Sequence, residues 1–476
     1  MLESELVFIE ASTLCELIAK KKLSPVEVAK AYLKQIEELD PKLNAFLTIC
    51  ADSTIKQARD AEAAIMRGEM IGPLHGLVIP VKDLVQTAEI RTTWGSQVYK
   101  DFVPNHDDIV AKRIRSAGGI IIGKTNTSEF GHLATTENLL RDACRNPWSI
   151  DRTSGGSSGG AAVAVAAGLA PIAQGGDGGG SIRIPSSFCG VFGFKPTHGR
   201  IPREYRTHQG GWETLSQDGP ISRSVKDAML LLQVLAGPDP NDPRSLGDYK
   251  FQIDSSEPAN LSDLRIGLIS SFKGTPVDSR VRQLIERSSK VFEDFGASVE
   301  EIVSDFDELG AREIFKTIFL SDLFASVGPL LRTNAELLMP SLRKFLEDTS
   351  MWGPARLPRA LRGLEWHRDY FRRLFAEYDI LLTPTVAVGA FPLGDLPKMI
   401  DGIEVDPIWG FNPFCYQFNM TGGPASNVPC GFINGLPVGM QIVGQSGADN
   451  AVLRASAAFE IARPWMQNRP PISSKD

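Results

Sequence analysis

The amino-acid sequence predicts an α/β protein in which helices cover a central β-sheet. From Leu74 onward, short apolar runs alternate with stretches whose pattern is helical. The apolar runs do not alternate strictly between apolar and polar residues, which is typical of strands that are buried on both faces. Five runs are predicted strands: residues 77–81, 119–123, 265–269, 379–382 and 438–443.

Helix signals predict the other elements. The first sixty residues are predicted to be helical, and Ser24-Pro25-Val26-Glu27 combines an N-cap serine, a proline at the first helical position and the glutamate of a capping box. We expect that helix to run to Leu39 and to stop at Asp40-Pro41. Further predicted helices span residues 108–117 and 161–167. Residues 353–363, rich in arginine and proline, are predicted to form an exposed loop.

Composition and charge restrict the class of protein. Of 476 residues, 42% are apolar and 22% are charged, which is ordinary for a soluble globular chain. The formal net charge of −7 argues against a nucleic-acid-binding surface. The acidic N-terminus lacks the features of a signal peptide, and no run of about 18 apolar residues could span a membrane. Six widely spaced cysteines without a C-x-x-C pair predict reduced core thiols and a cytoplasmic location.

Two glycine-rich runs carry the strongest chemical signal. The first is Gly155-Gly156-Ser157-Ser158-Gly159-Gly160, and the second extends from Gly175 to Ser181. Consecutive glycines let the chain turn and leave no side chain over the backbone N–H groups, so an oxyanion can approach closely. A serine at the end of such a run is placed to act as a nucleophile beside its oxyanion hole. A flexible linker is the alternative, and it fits poorly because apolar, structured sequence lies between and after the runs.

Ser157 formally matches the G-x-S-x-G elbow of α/β-hydrolases, which would make it the nucleophile of an esterase. That motif needs a buried strand leading into it, whereas residues 145–152 are polar and contain a proline. A Ser-His-Asp triad would also need a histidine. None of the six has a recognisable context or a metal-ligand spacing: His75, His106, His132, His198, His208 and His367. We therefore expect no metal and no cofactor, and the sequence leaves open whether a histidine meets a serine in the fold.

Lys82 is the other chemically suggestive residue. It directly follows the apolar run 77–81, so it stands at the end of a predicted buried strand, next to Asp83. Burial lowers the pKa of a lysine and would let Lys82 act as a base near neutral pH. The alternative is an ordinary lysine at a strand end, either solvated or paired with Asp83.

The segment Gly155–Thr197 resembles the signature of the amidase signature family. The resemblance rests on the GGSSGG run, the small-residue helix, the G-x-D-x-G-G-S-I-R-x-P run and the later G-x-x-G-F-K-P-T. Shorter pieces are also similar to this family, and they spread over roughly residues 5–465: 80–83, 123–126, 145–147, 219–223 and 436–441. The resemblance implies a single α/β domain over residues 1–476. Its large mixed sheet would be covered by helices on both sides, with a helical N-terminal segment 1–65 packed on it.

Carried over to this sequence, the family's Ser–cis-Ser–Lys triad falls on Ser181, Ser157 and Lys82. The resemblance implies that Ser181 is the nucleophile. Ser157, in a cis peptide with Gly156, would relay a proton between Ser181 and neutral Lys82. It further implies an oxyanion hole made by the N–H groups of Gly178, Gly179, Gly180 and Ser181. The loop would be supported by Ser158, Asp177 and Arg183.

The implied activity is that of a serine hydrolase that cleaves the C–N acyl bond of an aryl or alkyl amide through an acyl-enzyme. Carbamates and esters are chemically close substrates. The alternative is the glutamine-hydrolysing A subunit of a tRNA-dependent amidotransferase, a branch that Asn126 and residues 136–138 and 145–147 resemble. Against that branch, Asn412 stands where we would align the acidic residue that grips the amino group of glutamine. An inactive scaffold ranks last, because all three triad positions are intact.

The substrate itself is not readable from the sequence. We expect the pocket to be built by the loops at residues 129–134, 203–217 and 394–416. Candidate substrate contacts are Phe130, Gln209, Trp409 and Phe414. Aromatic residues around Asn412 would either line a less polar pocket or belong to the core. The expected partner is a small-molecule amide, carbamate or ester, with no nucleic acid and no membrane; a homodimer and a partner subunit both stay open.

Overall fold

The computed structural model describes residues 3–69, 72–204, 215–252 and 260–472. The helices of this part of the chain, α1 to α16 in order, are Glu3–Leu6, Ala11–Ala19, Pro25–Leu43, Ala51–Met66, Ile109–Ser116, Gly159–Ala166, Arg183–Cys189, Val225–Leu235, Ser279–Ser289, Val291–Asp294, Glu308–Val327, Leu330–Thr333, Pro340–Ser350, Arg356–Glu377, Cys415–Met420 and Asp449–Ala462. The strands, β1 to β15, are Phe46–Ile49, Val78–Lys82, Ile120–Thr125, Arg145–Asn146, Ser149–Thr153, Ile172–Asp177, Phe192–Lys195, Gln217–Ser222, Arg265–Leu268, Ser298–Glu301, Ile380–Pro384, Met399–Ile400, Ile403–Glu404, Ala425–Ile433 and Leu436–Gly444.

Eight strands form the central sheet, in the order β10-β9-β11-β15-β14-β7-β8-β6. Strands β10, β9 and β11 are mutually parallel, and the pairs from β11 to β6 are antiparallel. Long apolar strands at the centre are buried because helices flank the sheet. The predicted α/β fold class with a large mixed sheet is thereby confirmed. That residues 1–476 make up one domain stays a prediction.

A second, three-stranded sheet has the order β1-β3-β2 and carries the predicted strands 77–81 and 119–123. These two strands are parallel, and β1 joins them from the N-terminal segment 1–65, which the sequence predicts to be helical. Four residues are too few to show a strand period, so β1 had no local signal. The small sheet meets the large one at β6, where the backbone N–H of Lys82 donates to Oε1 of Gln174 at 2.9 Å.

The N-terminal helices are joined to the rest of the fold through a buried carboxylate. Asp227, in the first turn of α8, accepts the backbone N–H groups of Ala11 and Ser12 at 2.8 and 2.9 Å. These two N–H groups lie at the start of α2, where an α-helix has no internal acceptors for them. The carboxylate therefore caps α2 across more than 200 residues of sequence.

The capping box at Ser24 is confirmed, since its hydroxyl accepts the N–H of Val26 and Glu27 accepts the N–H of Ser24, both at 2.9 Å. The predicted stop at Pro41 is wrong, because α3 continues to Leu43. A proline in the last turn removes only one helical hydrogen bond. The predicted loop at 353–363 is also wrong, because α14 begins at Arg356 and its proline occupies the first turn, where no N–H is needed. No helix of the described ranges combines the length and apolarity that crossing a membrane requires.

Candidate active site

Lys82 and Ser157 meet in the interior of the molecule. Lys82 is the last residue of β2, and its side chain is 1% exposed. Its Nζ donates to Oγ of Ser157 at 2.8 Å and to the carbonyl oxygen of Gly176 at 3.2 Å. The lysine predicted to end a buried strand therefore contacts both glycine-rich runs, and the alternative of a solvated strand-end lysine is wrong.

The two glycine-rich runs lie against each other. The backbone N–H of Ser158 donates to the carbonyl oxygen of Ser181 at 3.1 Å. The Ser158 hydroxyl donates to the carbonyl of Gly176 at 3.0 Å and accepts that residue's N–H at 3.2 Å. The peptide bond between Gly156 and Ser157 is cis. A Cβ on Gly156 would stand 2.3 Å from the carbonyl oxygen of Thr135, so only glycine fits at this position.

Asp177 and Arg183 hold the loop that carries Ser181. Both side chains are fully buried, and Arg183 donates through Nε and Nη2 to the two carboxylate oxygens at 2.9 and 2.8 Å. Asn419 adds a third donor at 2.9 Å. Burial by itself would raise the pKa of Asp177, but the charge and hydrogen bonds of Arg183 outweigh it and hold that pKa well below its ordinary value. The loop thus rests on an ionised, fully hydrogen-bonded carboxylate.

The predicted oxyanion hole needs one correction. The N–H of Gly180 donates to Oδ1 of Asp177 at 2.7 Å, so it is already used in supporting the loop. A hydrogen bond to a buried carboxylate is charge-assisted, and an oxyanion would have to displace it. The N–H groups of Gly178, Gly179 and Ser181 have no acceptor among the residues that the structure describes. These three stay the predicted oxyanion donors.

Burial sets the protonation of Lys82. It lowers the pKa of the ammonium group from 10.5 to about 7. The nearby carboxylates of Asp218 and Asp177 act in the opposite direction, and Arg203 assists the lowering. Asp218 is positioned by Gln174, whose amide donates to it at 2.8 Å, and by Arg203 at 3.5 Å. At neutral pH a substantial share of Lys82 is therefore uncharged and able to accept a proton.

A cleft that is partly open to solvent reaches this cluster. Lys82, Ser157 and Ser181 all line it. The remaining walls are of two kinds. Some of the lining residues are polar and others are aromatic, and the principal members are Asp108, Arg203, Glu204, Asp218, Phe315, Phe319, Trp409 and Asn412.

Of the four predicted substrate contacts, Trp409 lines the cleft. The prediction that Phe130 contacts the substrate is wrong, because its ring is fully buried against Tyr99. The prediction for Phe414 is wrong as well, because its ring packs in the core against Phe272, with ring centroids 5.1 Å apart. Neither ring lines the cleft, and both belong to the main hydrophobic core. Gln209 lies outside the described residues.

The structure does not favour the esterase alternative. Residues Ser149–Thr153, which precede Ser157, form a two-stranded hairpin with β4 and not a strand of the central sheet. His132 lines the cleft, but its Nε2 meets the hydroxyl of Ser341 at 2.9 Å, and burial lowers its pKa to about 4. None of the histidines within the described ranges has a hydrogen bond to Ser157 or Ser181; His208 lies outside those ranges.

One group of possible metal ligands was found among the described residues. Ligand atoms of His106, Asp108 and Glu204 lie within 4.8 Å of one another at the polar side of the cleft. Partly exposed acidic groups often have such spacing without binding an ion, and the predicted reaction does not use one. We therefore assign no metal to these residues.

Several residues of the site were not found from the sequence. Phe315 and Phe319 come from α11, far from any predicted pocket loop. Gln174 and Asp218 lie on the paired strands β6 and β8, and Gln174 bonds to both Lys82 and Asp218. No motif marks these positions, although Asp218 directly precedes the quoted piece 219–223. Pairing of β6 with β8 brings them together.

The sequence model of the amidase family matches residues 27–453. This chain belongs to the amidase family. The predicted resemblance to amidase signature enzymes is thereby confirmed. The chain is 33% identical to an acylamidase of Rhodococcus erythropolis, with 99% of this amidase and 98% of that protein covered. It is 34% identical to the A subunit of the glutamyl-tRNA(Gln) amidotransferase of Carboxydothermus hydrogenoformans, with 98% and 99% covered.

A solved structure shows the same fold. A bacterial aryl acylamidase of the amidase signature family matches this amidase with a TM-score of 0.90 at 31% identity, covering 97% of each chain. The protein is therefore an amidase signature hydrolase. Its similarity to the acylamidase and to the amidotransferase protein is nearly equal, so identity alone does not choose between them.

Proposed function

We propose that this amidase needs no partner subunit, and that it hydrolyses amides that carry a sizeable apolar group. Ser181 is the nucleophile, Ser157 the proton relay and Lys82 the base. The observation that carries this proposal is the buried hydrogen bond of 2.8 Å between Lys82 Nζ and Ser157 Oγ, beside a loop that presents Ser181 to the cleft. A base with a pKa near the working pH is the most effective general base.

The proposed reaction has two halves. Neutral Lys82 takes a proton from Ser157, Ser157 takes one from Ser181, and the Ser181 oxygen attacks the carbonyl carbon. The N–H groups of Gly178, Gly179 and Ser181 hold the oxyanion. Ser157 then gives its proton to the amine nitrogen and regains one from Lys82, and the C–N bond breaks to leave an acyl-enzyme. Water releases the acid by the same relay.

The cleft favours a substrate with an apolar group over glutamine. Phe315, Phe319 and Trp409 form an aromatic wall, and burying a ring against such a wall gains about 25 cal/mol per Å². Asn412 also lines the cleft, and its Oδ1 is buried without a hydrogen-bond partner among the described residues. A neutral amide can accept a hydrogen bond but cannot form the ion pair that the ammonium group of glutamine would need. Carbamates and esters present the same carbonyl and are the next substrates to test.

The second candidate is an amidotransferase A subunit, and one observation favours it: identity to such subunits reaches 36% in Thermus thermophilus, over 96% of this chain. The two candidates differ in substrate and in the need for a partner. The purified chain alone is therefore the informative sample.

The test measures two products from the isolated protein: 4-nitroaniline from phenylacetyl-4-nitroanilide, and ammonia from glutamine. We expect the anilide to be hydrolysed and glutamine to be nearly inert. Ser181→Ala should lower kcat by on the order of 10³-fold or more, while Ser350→Ala, the same change on the exposed face of α13, should not. A Ser181→Ala enzyme that keeps most of its rate contradicts the nucleophile. Preference for glutamine selects the second candidate.

A further inference from the structure

The aromatic wall, formed by Phe315, Phe319 and Trp409, lies beside one end of the loop that carries Ser181. A Cβ built on Gly179 would stand 2.7 Å from Cζ of Phe315, so this ring abuts the backbone at Gly179. Trp409 crosses the two phenylalanines edge-on, with ring centroids 5.7 Å from Phe315 and 5.6 Å from Phe319. The wall is therefore joined to the predicted oxyanion donors.

The wall is held rigidly from behind. Tyr416 stacks on Phe315 with ring centroids 4.9 Å apart, and its hydroxyl donates to Glu308 in the first turn of α11. Arg312, one turn further along the helix, bonds to the same carboxylate at 2.6 Å. Because Phe315, Tyr416 and Glu308 are buried and the last two are hydrogen-bonded to each other, the wall keeps its shape in the absence of a ligand, which lowers the entropy cost of binding a ring.

The polar wall, formed by Asp108, Arg203 and Asp218, lies at the other end of the loop. Oδ1 of Asp218 is 3.3 Å from the position of a Cβ on Gly176, and Cδ of Lys82 is 4.0 Å from that position. The carbonyl of Gly176 also accepts a hydrogen bond from Lys82 Nζ. The polar wall is thus on the side of Lys82 and Ser157, whereas the aromatic wall is on the side of Gly179.

The direction of proton transfer orients the substrate between these walls. The departing nitrogen receives its proton from Ser157, so it has to lie on the side of Ser157 and Lys82. The acyl group extends from the carbonyl carbon away from the departing nitrogen, so the aromatic wall beside Gly179, and not the polar wall, is the surface available to it. Charged side chains of the polar wall favour a hydrated amine or ammonium product and disfavour an apolar ring.

We infer that this amidase selects its substrates by the acyl part, and that they are amides of aryl-substituted acids whose amine is small or polar. The inference rests on the proposed function and adds the side of the scissile bond on which the ring binds. Amides of aromatic amines with a small acyl group carry the ring on the amine side of the scissile bond, next to the polar wall. They are expected to be the poorer substrates.

Two isomeric amides test the orientation. N-methylphenylacetamide carries its ring on the acyl side and N-benzylacetamide carries it on the amine side, and both release a primary alkylamine. We expect kcat/KM to be at least about tenfold higher for N-methylphenylacetamide. Trp409→Ala, and separately Phe319→Ala, should bring the ratio of the two kcat/KM values close to one. Trp366→Ala, which removes a tryptophan that is 84% exposed on α14, should leave the ratio unchanged.

The outcomes separate this inference from the function beneath it. A ratio near one or inverted in the wild-type chain overturns the orientation. The orientation is also overturned if the ratio of the two kcat/KM values is unchanged in both Trp409→Ala and Phe319→Ala, provided that Ser181-dependent release of 4-nitroaniline shows the variants to be folded. In those cases the proposed function stands. Absence of Ser181-dependent turnover of either isomer and of phenylacetyl-4-nitroanilide overturns both proposals.

Discussion

The pH dependence of the reaction tests the role of Lys82 most directly. A lysine with the ordinary pKa of 10.5 would be neutral in only about 0.03% of molecules at pH 7. With a pKa of about 7, about half of the molecules carry the neutral base. Since the neutral form is the active one, kcat/KM should rise about tenfold per pH unit in acid and level off above about pH 7.

Two charge substitutions should move this profile in opposite directions. Burial lowers the pKa of Lys82 most, the charge of Asp218 raises it, and the charge of Arg203 lowers it. Asp218→Asn removes a raising charge, so the midpoint should move to lower pH. Arg203→Gln removes a lowering charge, so the midpoint should move to higher pH. Each displacement should be on the order of one pH unit, as for a charge a few ångströms away.

The assay is release of 4-nitroaniline from phenylacetyl-4-nitroanilide between about pH 5 and pH 10, analysed as kcat/KM so that the free enzyme is reported. Asp369→Asn is the matched control, because Asp369 lies on the exposed face of α14. Its midpoint should equal that of the wild-type chain. A wild-type midpoint above about pH 9, or displacements of the same sign in Asp218→Asn and Arg203→Gln, would refute the assignment of Lys82 as a buried base.

Three further predictions concern other parts of the structure. Gly179→Ala should lower kcat/KM by about tenfold, because its Cβ would meet Phe315; adding Phe315→Leu should recover part of the rate. Arg183→Met leaves the Asp177 carboxylate buried without its partner and should cost about 3–5 kcal/mol in urea denaturation; an unchanged midpoint would contradict the support role. Burial raises the pKa of Glu460 to about 8, so the folded state binds the proton more tightly and stability falls as pH rises from about 4.5 to 8. The Glu460→Gln variant should therefore be more stable than the wild-type chain at pH 8, by up to about 4 kcal/mol. A variant less stable than the wild-type chain at that pH would contradict the raised pKa.

The sequence by itself determined the features that depend on neighbouring residues. The capping box at Ser24 is a local hydrogen-bond pattern, and the five predicted strands are runs of apolar residues. The glycines of the two glycine-rich runs leave consecutive backbone N–H groups without side chains over them, so the sequence alone was enough to identify Ser157 and Ser181 as candidates. Lys82 was found for the same reason, because a charge directly after an apolar run is a local signal. The catalytic roles of all three stay predictions.

Only the tertiary structure decided which distant residues meet. Phe315 lines the cleft from a helix, whereas Phe130 and Phe414 are buried in the core. The hydrophobic effect is non-directional, so the sequence does not show which apolar region an aromatic ring will occupy. Contacts between residues far apart in the sequence also leave no local signal. The pairing of β6 with β8, for example, brings Asp218 close to Lys82. The Gly180 N–H donates to a carboxylate and not to the cleft because Asp177, held by Arg183, lies within reach.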